Sequence, residues 1–179
     1  AGNPKNTKLF FNLFEKVSKY LLNIHVHIEN PEYLQNNEPG IVIGNHQHNF
    51  EVITVSKLYQ RLIVVLGSFE LGLIPIFGQF FVLGGNILVK RGNRRKALES
   101  MNKLETKVNK KGLKVLVFPE GHRNRKAELA PFKKGAFYTA IKTQSPLIPF
   151  SASQFVSLKY PLKGFERLDI YIKVHPPIS

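Results

Sequence analysis

The 179-residue chain contains no cysteine. That excludes a disulfide framework, a thiolate nucleophile and any zinc or iron–sulfur site built on cysteine. Aspartate is almost missing too: 11 of the 12 acidic residues are Glu, and the one Asp is Asp169. There are no internal repeats, no low-complexity tracts and no linker that would divide the chain. A mass of 20.4 kDa with 43% hydrophobic and 21% charged residues then fits one globular domain with a sizeable core, not a coiled coil or a disordered tail. Charge itself is absent from one long stretch. Residues 71–89 carry none, and between Arg61 and Lys90 only Glu70 is charged. Nineteen uncharged residues reach the length of a membrane span. However, Pro75 and the glycines Gly72, Gly78, Gly84 and Gly85 break a continuous helix, and Gln79 and Asn86 would be left in lipid. A core strand, a turn-rich apolar segment and a second core strand are expected instead, with a surface that touches lipid.

Positive charge is in excess. Lys and Arg number 26 against 12 acids, giving +14 and a pI near 10.0. Such a balance calls for an anionic partner: nucleic acid, anionic lipid or a phosphorylated substrate. The excess is concentrated, with 15 Lys and Arg against four Glu between Lys90 and Lys134, a net of +11 in a quarter of the chain. No nucleic-acid partner is expected, because the basic residues bracket polar motifs rather than aromatic stacking platforms, and no RRM, KH or helix-turn-helix signature is present. The chain opens at Ala1 rather than at Met, which leaves room for an upstream membrane anchor.

Residues 5–22 carry Leu9, Phe10, Leu13, Phe14, Val17, Tyr20 and Leu21 at helical spacing among Lys5, Lys8, Lys16 and Lys19. Residues 1–23 are therefore expected to form an amphipathic helix that lies either in a membrane interface or on the core, ahead of a catalytic domain over 24–179. Strands are expected at 24–28, 41–43, 61–66, 86–90, 114–118, 146–152 and 168–174, and helices at 49–60, 93–110 and 133–143, with a polar loop at 31–40. Alternating strands and helices predict an α/β domain with a mixed, mostly parallel sheet flanked by helices.

Three motifs carry chemistry. Asn45-His46-Gln47-His48-Asn49-Phe50-Glu51 lies at a strand-to-helix junction. Glu51, five residues after His46 across a turn, can fold back onto one imidazole nitrogen and leave the other as a base toward an alcohol. Phe118-Pro119-Glu120-Gly121-His122-Arg123-Asn124-Arg125 follows a buried strand, the end at which α/β proteins place ligands. Val89-Lys90-Arg91-Gly92-Asn93-Arg94 is a second strand end bearing cations, and two Arg-bearing strand ends suggest a phosphate pocket. A metal site is the rival reading, since His25, His27, His46, His48 and Glu51 are ligand types. Alternating His on a strand is more often exposed surface, and no metal is expected.

Taken in order, the motifs resemble those of the PlsC-type 1-acyl-glycerol-3-phosphate acyltransferases. NHQHNFE is similar to the family's N-H-x-x-x-x-D block and ILVKRGNR to its second block, which usually ends in Asp-Arg. FPEGHRNR is similar to F-P-E-G-T-R, and Ser145-Pro146-Leu147-Ile148-Pro149 to V-P-I-I-P. Ile74-Pro75-Ile76-Phe77-Gly78-Gln79, Pro131-Phe132-Lys133-Lys134-Gly135-Ala136 and Pro176-Pro177-Ile178 support the match, which covers nearly all of residues 24–179.

The resemblance implies a glycerolipid acyltransferase fold and a one-step transfer without an acyl-enzyme, which the missing cysteines suit. His46 would be the general base on the sn-2 hydroxyl of lysophosphatidic acid, with Glu51 orienting it. The donor would be acyl-CoA or acyl-carrier protein, and the product phosphatidic acid. Arg91 and Arg123 would hold the acceptor phosphate, and Glu120 and Gly121 would position its glycerol part. Lys90 and Arg94 would add phosphate or donor contacts, and no cofactor is needed. Location on the cytoplasmic face of an anionic membrane is expected. The chain departs from the family pattern at Glu51 (usually Asp), His122 (usually Thr), Lys90 (often Asp) and Ser68 (often Lys). Alternatives are a related acyltransferase with another lyso-acceptor, or a basic membrane-surface protein with a weakened site.

Overall fold

A computed structural model describes residues 4–36, 38–48, 51–58, 63–90, 94–124, 128–153 and 167–179. In chain order the elements are α1 (Pro4–Leu22), β1 (Ile24–Glu29), α2 (Glu32–Gln35), β2 (Gly40–Gly44), α3 (Glu51–Leu58) and β3 (Ile63–Ser68). A 3-10 turn (Phe69–Leu73) precedes α4 (Phe77–Leu83), followed by β4 (Ile87–Val89), α5 (Arg94–Lys111), β5 (Lys114–Val117), α6 (Gly135–Thr143), β6 (Leu147–Ala152) and β7 (Leu168–Val174).

The strands form one seven-stranded sheet in the order β1-β7-β6-β2-β5-β3-β4. All neighbours run parallel except β6 and β7. The mixed, mostly parallel sheet expected from the sequence is therefore the one found. Strands β2 to β6 end at the same edge, so every loop leaving them opens on one rim of the sheet.

Alternation along the central strands assigns their side chains to two cores. Val42, Leu116, Ile63 and Val65 face a cluster with Phe11 of α1, Val55 and Leu58 of α3 and Phe81 of α4. Ile41, Ile43, Val64, Val115 and Val117 face the opposite side, against Leu104 and Val108 of α5 and Ala136 and Ala140 of α6. Burial on both faces explains why these strands read as continuous apolar runs. Each fully buried Leu or Ile contributes about 1.5–3 kcal/mol.

Two local expectations are refined. The polar loop at 31–40 contains the short helix α2, whose Leu34 is buried in the core. The turn-rich apolar segment between the two expected core strands, found as β3 and β4, contains the 3-10 turn and the helix α4. Pro75 and the glycines prevent an extended run, and Phe81 anchors α4 to the core. Among the described residues no helix is long and apolar enough to cross a membrane.

Candidate active site

The rim where β2, β5 and β6 end gathers the motif residues. β2 runs into Gly44-Asn45-His46, and its register places Ile43 beside Val117 of β5 and Gly44 beside Phe150 of β6. A methyl group on Gly44 would sit 2.2 Å from the Phe150 ring, so the glycine lets that ring close over the strand end. Phe150 meets Phe118 edge-on at 6.2 Å, and Phe118 stacks flat on the His46 imidazole at 4.3 Å. Asn45 fastens the turn to β6 at both ends of its amide: Nδ2 donates to the Ala152 carbonyl (3.0 Å), and Oδ1 accepts from the Ala152 N–H (2.8 Å).

The structure brings His46 and Glu51 together. Glu51 opens α3 and is buried, and its Oε2 accepts a hydrogen bond from His46 Nδ1–H. Its Oε1 accepts from the backbone N–H groups of Gln47 and of His48, the latter at 3.1 Å. One carboxylate thus satisfies the amides of the strand-to-helix turn and commits Nδ1 of the imidazole, so that Nε2 is the nitrogen left facing away from it. The side chain one methylene longer than Asp still reaches all three donors.

Glu120 is buried just beyond β5, and both its oxygens are engaged by backbone amides. Oε1 accepts from the N–H of His46 (2.7 Å) and Oε2 from the N–H of Ala130 (3.0 Å). The Asn124 N–H in turn donates to the His46 carbonyl (2.7 Å), so the loop after β5 holds the His46 peptide on both sides. Glu120, expected to help position the acceptor's glycerol part, thus also braces the turn that carries His46. Gly121 has φ +71°, and a Cβ there would meet the Lys133 side chain.

Arg123 is exposed on the same loop, and Lys90 is exposed just past β4. Arg94 opens α5, its side chain lying outside the described set, and Arg91 lies outside the described residues altogether. Two histidines of the metal reading are elsewhere. His25 and His27 are on β1 at the far edge of the sheet, where His27 pairs with Asp169 (2.6 Å) and stacks on Tyr171, while His25 contacts Asn23. Among the described residues no group of three or more His, Cys, Asp or Glu could hold a metal ion. Sequence reasoning missed Phe118, Asn45 and the bracing role of the loop amides. Only the place of Phe118 beside Glu120 hinted at the first.

The sequence profile of the family described as Acyltransferase matches residues 25–153, a span from β1 through the end of β6. This chain belongs to that family. It is 34% identical over 99% of its length to the 1-acyl-sn-glycerol-3-phosphate acyltransferase of Salmonella typhimurium, 71% of which is covered. It is 31% identical over 92% of its length to the beta form of the enzyme of that name from Homo sapiens, covering 59% of it. Its fold is similar to the crystal structure of the LPA acyltransferase PlsC from Thermotoga maritima, with a TM-score of 0.74, 24% identity, and 98% and 70% of the two chains covered. In this acyltransferase Ser68, where a lysine was expected from the family pattern, lies opposite Val89 in the β3–β4 pair. The next residue on β4's side, Lys90, puts a cation at that strand end.

Proposed function

We propose that this acyltransferase moves a fatty acyl group from the thioester of acyl-CoA or acyl-carrier protein to the sn-2 hydroxyl of 1-acyl-glycerol-3-phosphate, forming phosphatidic acid. The observation that supports it best is the His46–Glu51 pair on the rim of the parallel strands, with Nδ1–H committed to a buried carboxylate and Nε2 left as a base. Nε2 takes the hydroxyl proton as the oxygen attacks the thioester carbonyl. The carbon–sulfur bond breaks, and the departing thiolate receives that proton from the imidazolium. Glu51 keeps the tautomer and stabilises the transient charge on His46. Phe118 holds the ring plane, and Glu120 holds the His46 peptide.

Arg123 and Arg91 receive the phosphate, with Lys90 and Arg94 as further cations at the same strand ends. The excess of positive charge holds the enzyme to an anionic membrane surface on the cytoplasmic side, where soluble thioester and lipid acceptor meet. A panel of lyso-acceptors with labelled acyl-CoA and acyl-carrier protein tests this. Transfer to 1-acyl-glycerol-3-phosphate should exceed transfer to 1-acyl-glycerol by about a hundredfold in kcat/KM, the scale of a lost charge-assisted pair. Equal efficiency on the phosphate-free acceptor would overturn the phosphate role of the arginines.

A further inference from the structure

Between β3 and β4 the chain builds a feature the chemistry does not use. Leu73, Ile74, Pro75 and Ile76 are four successive exposed residues, all apolar, with Leu73 68% and Ile76 67% exposed. Loops that face water are built from polar and turn-forming residues, and a run of exposed apolar ones needs a reason. This loop is also held rigidly. The Gly78 Cα lies so close to the Gly72 peptide that a Cβ would come within 2.2 Å of the Gly72 carbonyl oxygen, pinching the base. The Gly78 N–H donates to the Ile74 carbonyl, and the Phe77 N–H donates across Ile76 to the Pro75 carbonyl, both at 2.7 Å. Ile76 therefore sits at φ +65°, ψ −58°, the strained hand of the γ-turn, which a β-branched residue adopts only under constraint. Phe77 and Phe81 anchor the inner side (rings 5.9 Å apart), while Phe80 and Leu83 extend the apolar outer side along α4. Strain spent on holding apolar side chains in water points to something that covers them.

We infer that the loop Leu73–Ile76 inserts into the headgroup layer of an anionic bilayer and seats the sheet rim against it. The inference deepens the proposed function and rests on it for the choice of a lipid surface. Charge supports the choice. The loop follows β3, whose end, Ser68, lies beside Val89 and the exposed Lys90, so a cation stands where the apolar segment leaves the rim. No acid lies between Leu71 and Val89, and the +11 segment begins at Lys90. Penetrating apolar side chains beside cations match an anionic interface. A second copy matches poorly, because pairing would bring two chains of +14 together.

The chain has no tryptophan, so a Leu73→Trp variant carries a single reporter. With vesicles of equal parts phosphatidylcholine and phosphatidylglycerol, its emission should shift to the blue and be quenched by lipids brominated on their acyl chains. A Leu73→Ser/Ile76→Ser variant with an unchanged melting temperature should bind these vesicles roughly tenfold or more weakly. Transfer to acceptor embedded in the vesicles should fall with it, while transfer to a short-chain, monomeric acceptor stays the same. Vesicle binding with an unmoved, unquenched indole would overturn the inference. So would a blue shift without lipid that tracks protein concentration and dimer mass, which would assign the loop to self-association. Failure of the unaltered enzyme on the soluble acceptor would count against the acyltransferase reading alone, since the indole signal needs no turnover.

Discussion

Replacing Glu120 by Gln separates a brace from a substrate ligand. The carboxylate accepts the N–H groups of His46 at 2.7 Å and Ala130 at 3.0 Å from a buried position. Bonds from amides to a charged acceptor contribute about 1.5–3 kcal/mol each. Gln keeps one acceptor oxygen and turns an NH2 on the other amide, so one buried N–H is left facing a donor at a cost of about 1–3 kcal/mol. Removing a buried charge offsets part of that. A net loss of about 2–4 kcal/mol in urea unfolding is expected. The released peptide carries His46, and a small misplacement of a catalytic group can cost on the order of a hundredfold. Steady-state kinetics should therefore show kcat reduced roughly ten- to a hundredfold, with acceptor KM within about twofold. Unchanged stability together with a large rise in acceptor KM would refute the reasoning, because it would mean that the carboxylate holds the acceptor.

Other outcomes follow from the same geometry. His46→Ala should lower kcat about 10²–10⁴-fold, and Glu51→Gln should do so on a comparable scale while adding instability, since its single carbonyl oxygen cannot serve both the two turn amides and the His46 Nδ1–H. If Glu51→Ala kept near-normal turnover, its orienting role would be wrong. Lys114 is buried at the start of β5, its Nζ donating to the carbonyls of Asn36 and of Glu38 (2.7 Å), and burial lowers its pKa. Lys114→Met should cost about 1–3 kcal/mol in urea unfolding by stranding these carbonyls. Asp169, hydrogen-bonded by Arg167 and His27, titrates at about 2 instead of 3.8. A carboxyl depressed on folding stabilises above its ordinary pKa and loses that contribution as pH falls toward the depressed value. Asp169→Asn should therefore flatten the decline of stability between about pH 4 and pH 2 in a series of acid denaturation curves.

The sequence made the central sheet readable because its parallel strands are buried on both faces, and runs such as Lys114–Val117 have few other uses. The His46–Glu51 contact was readable for a similar reason: it is local, made across one turn. Contacts set by strand register were not. Phe118 lies on His46 only because β5 and β2 align Val117 with Ile43, and nothing in either strand announces that alignment. The bracing contacts of Glu120 were not readable either, because its donors are backbone amides that sequence does not display. α4 was missed because it is short, apolar and bounded by Pro75 and the pair Gly84-Gly85, so its pattern has no helical period to detect.

The place of β1 in the sheet bears on how the enzyme is made. Among the described residues β1 hydrogen-bonds to β7 alone, pairing Ile24 with Leu168 and Glu29 with Lys173. During synthesis β1 must therefore wait for β7. Its partner lies more than a hundred residues downstream, a separation that slows folding. Until β7 arrives, β1 is an unpaired edge, a condition that favours aggregation and chaperone capture. Removing β7 would thus strip β1 of its pairing as well, together with the seat of α1 against β1.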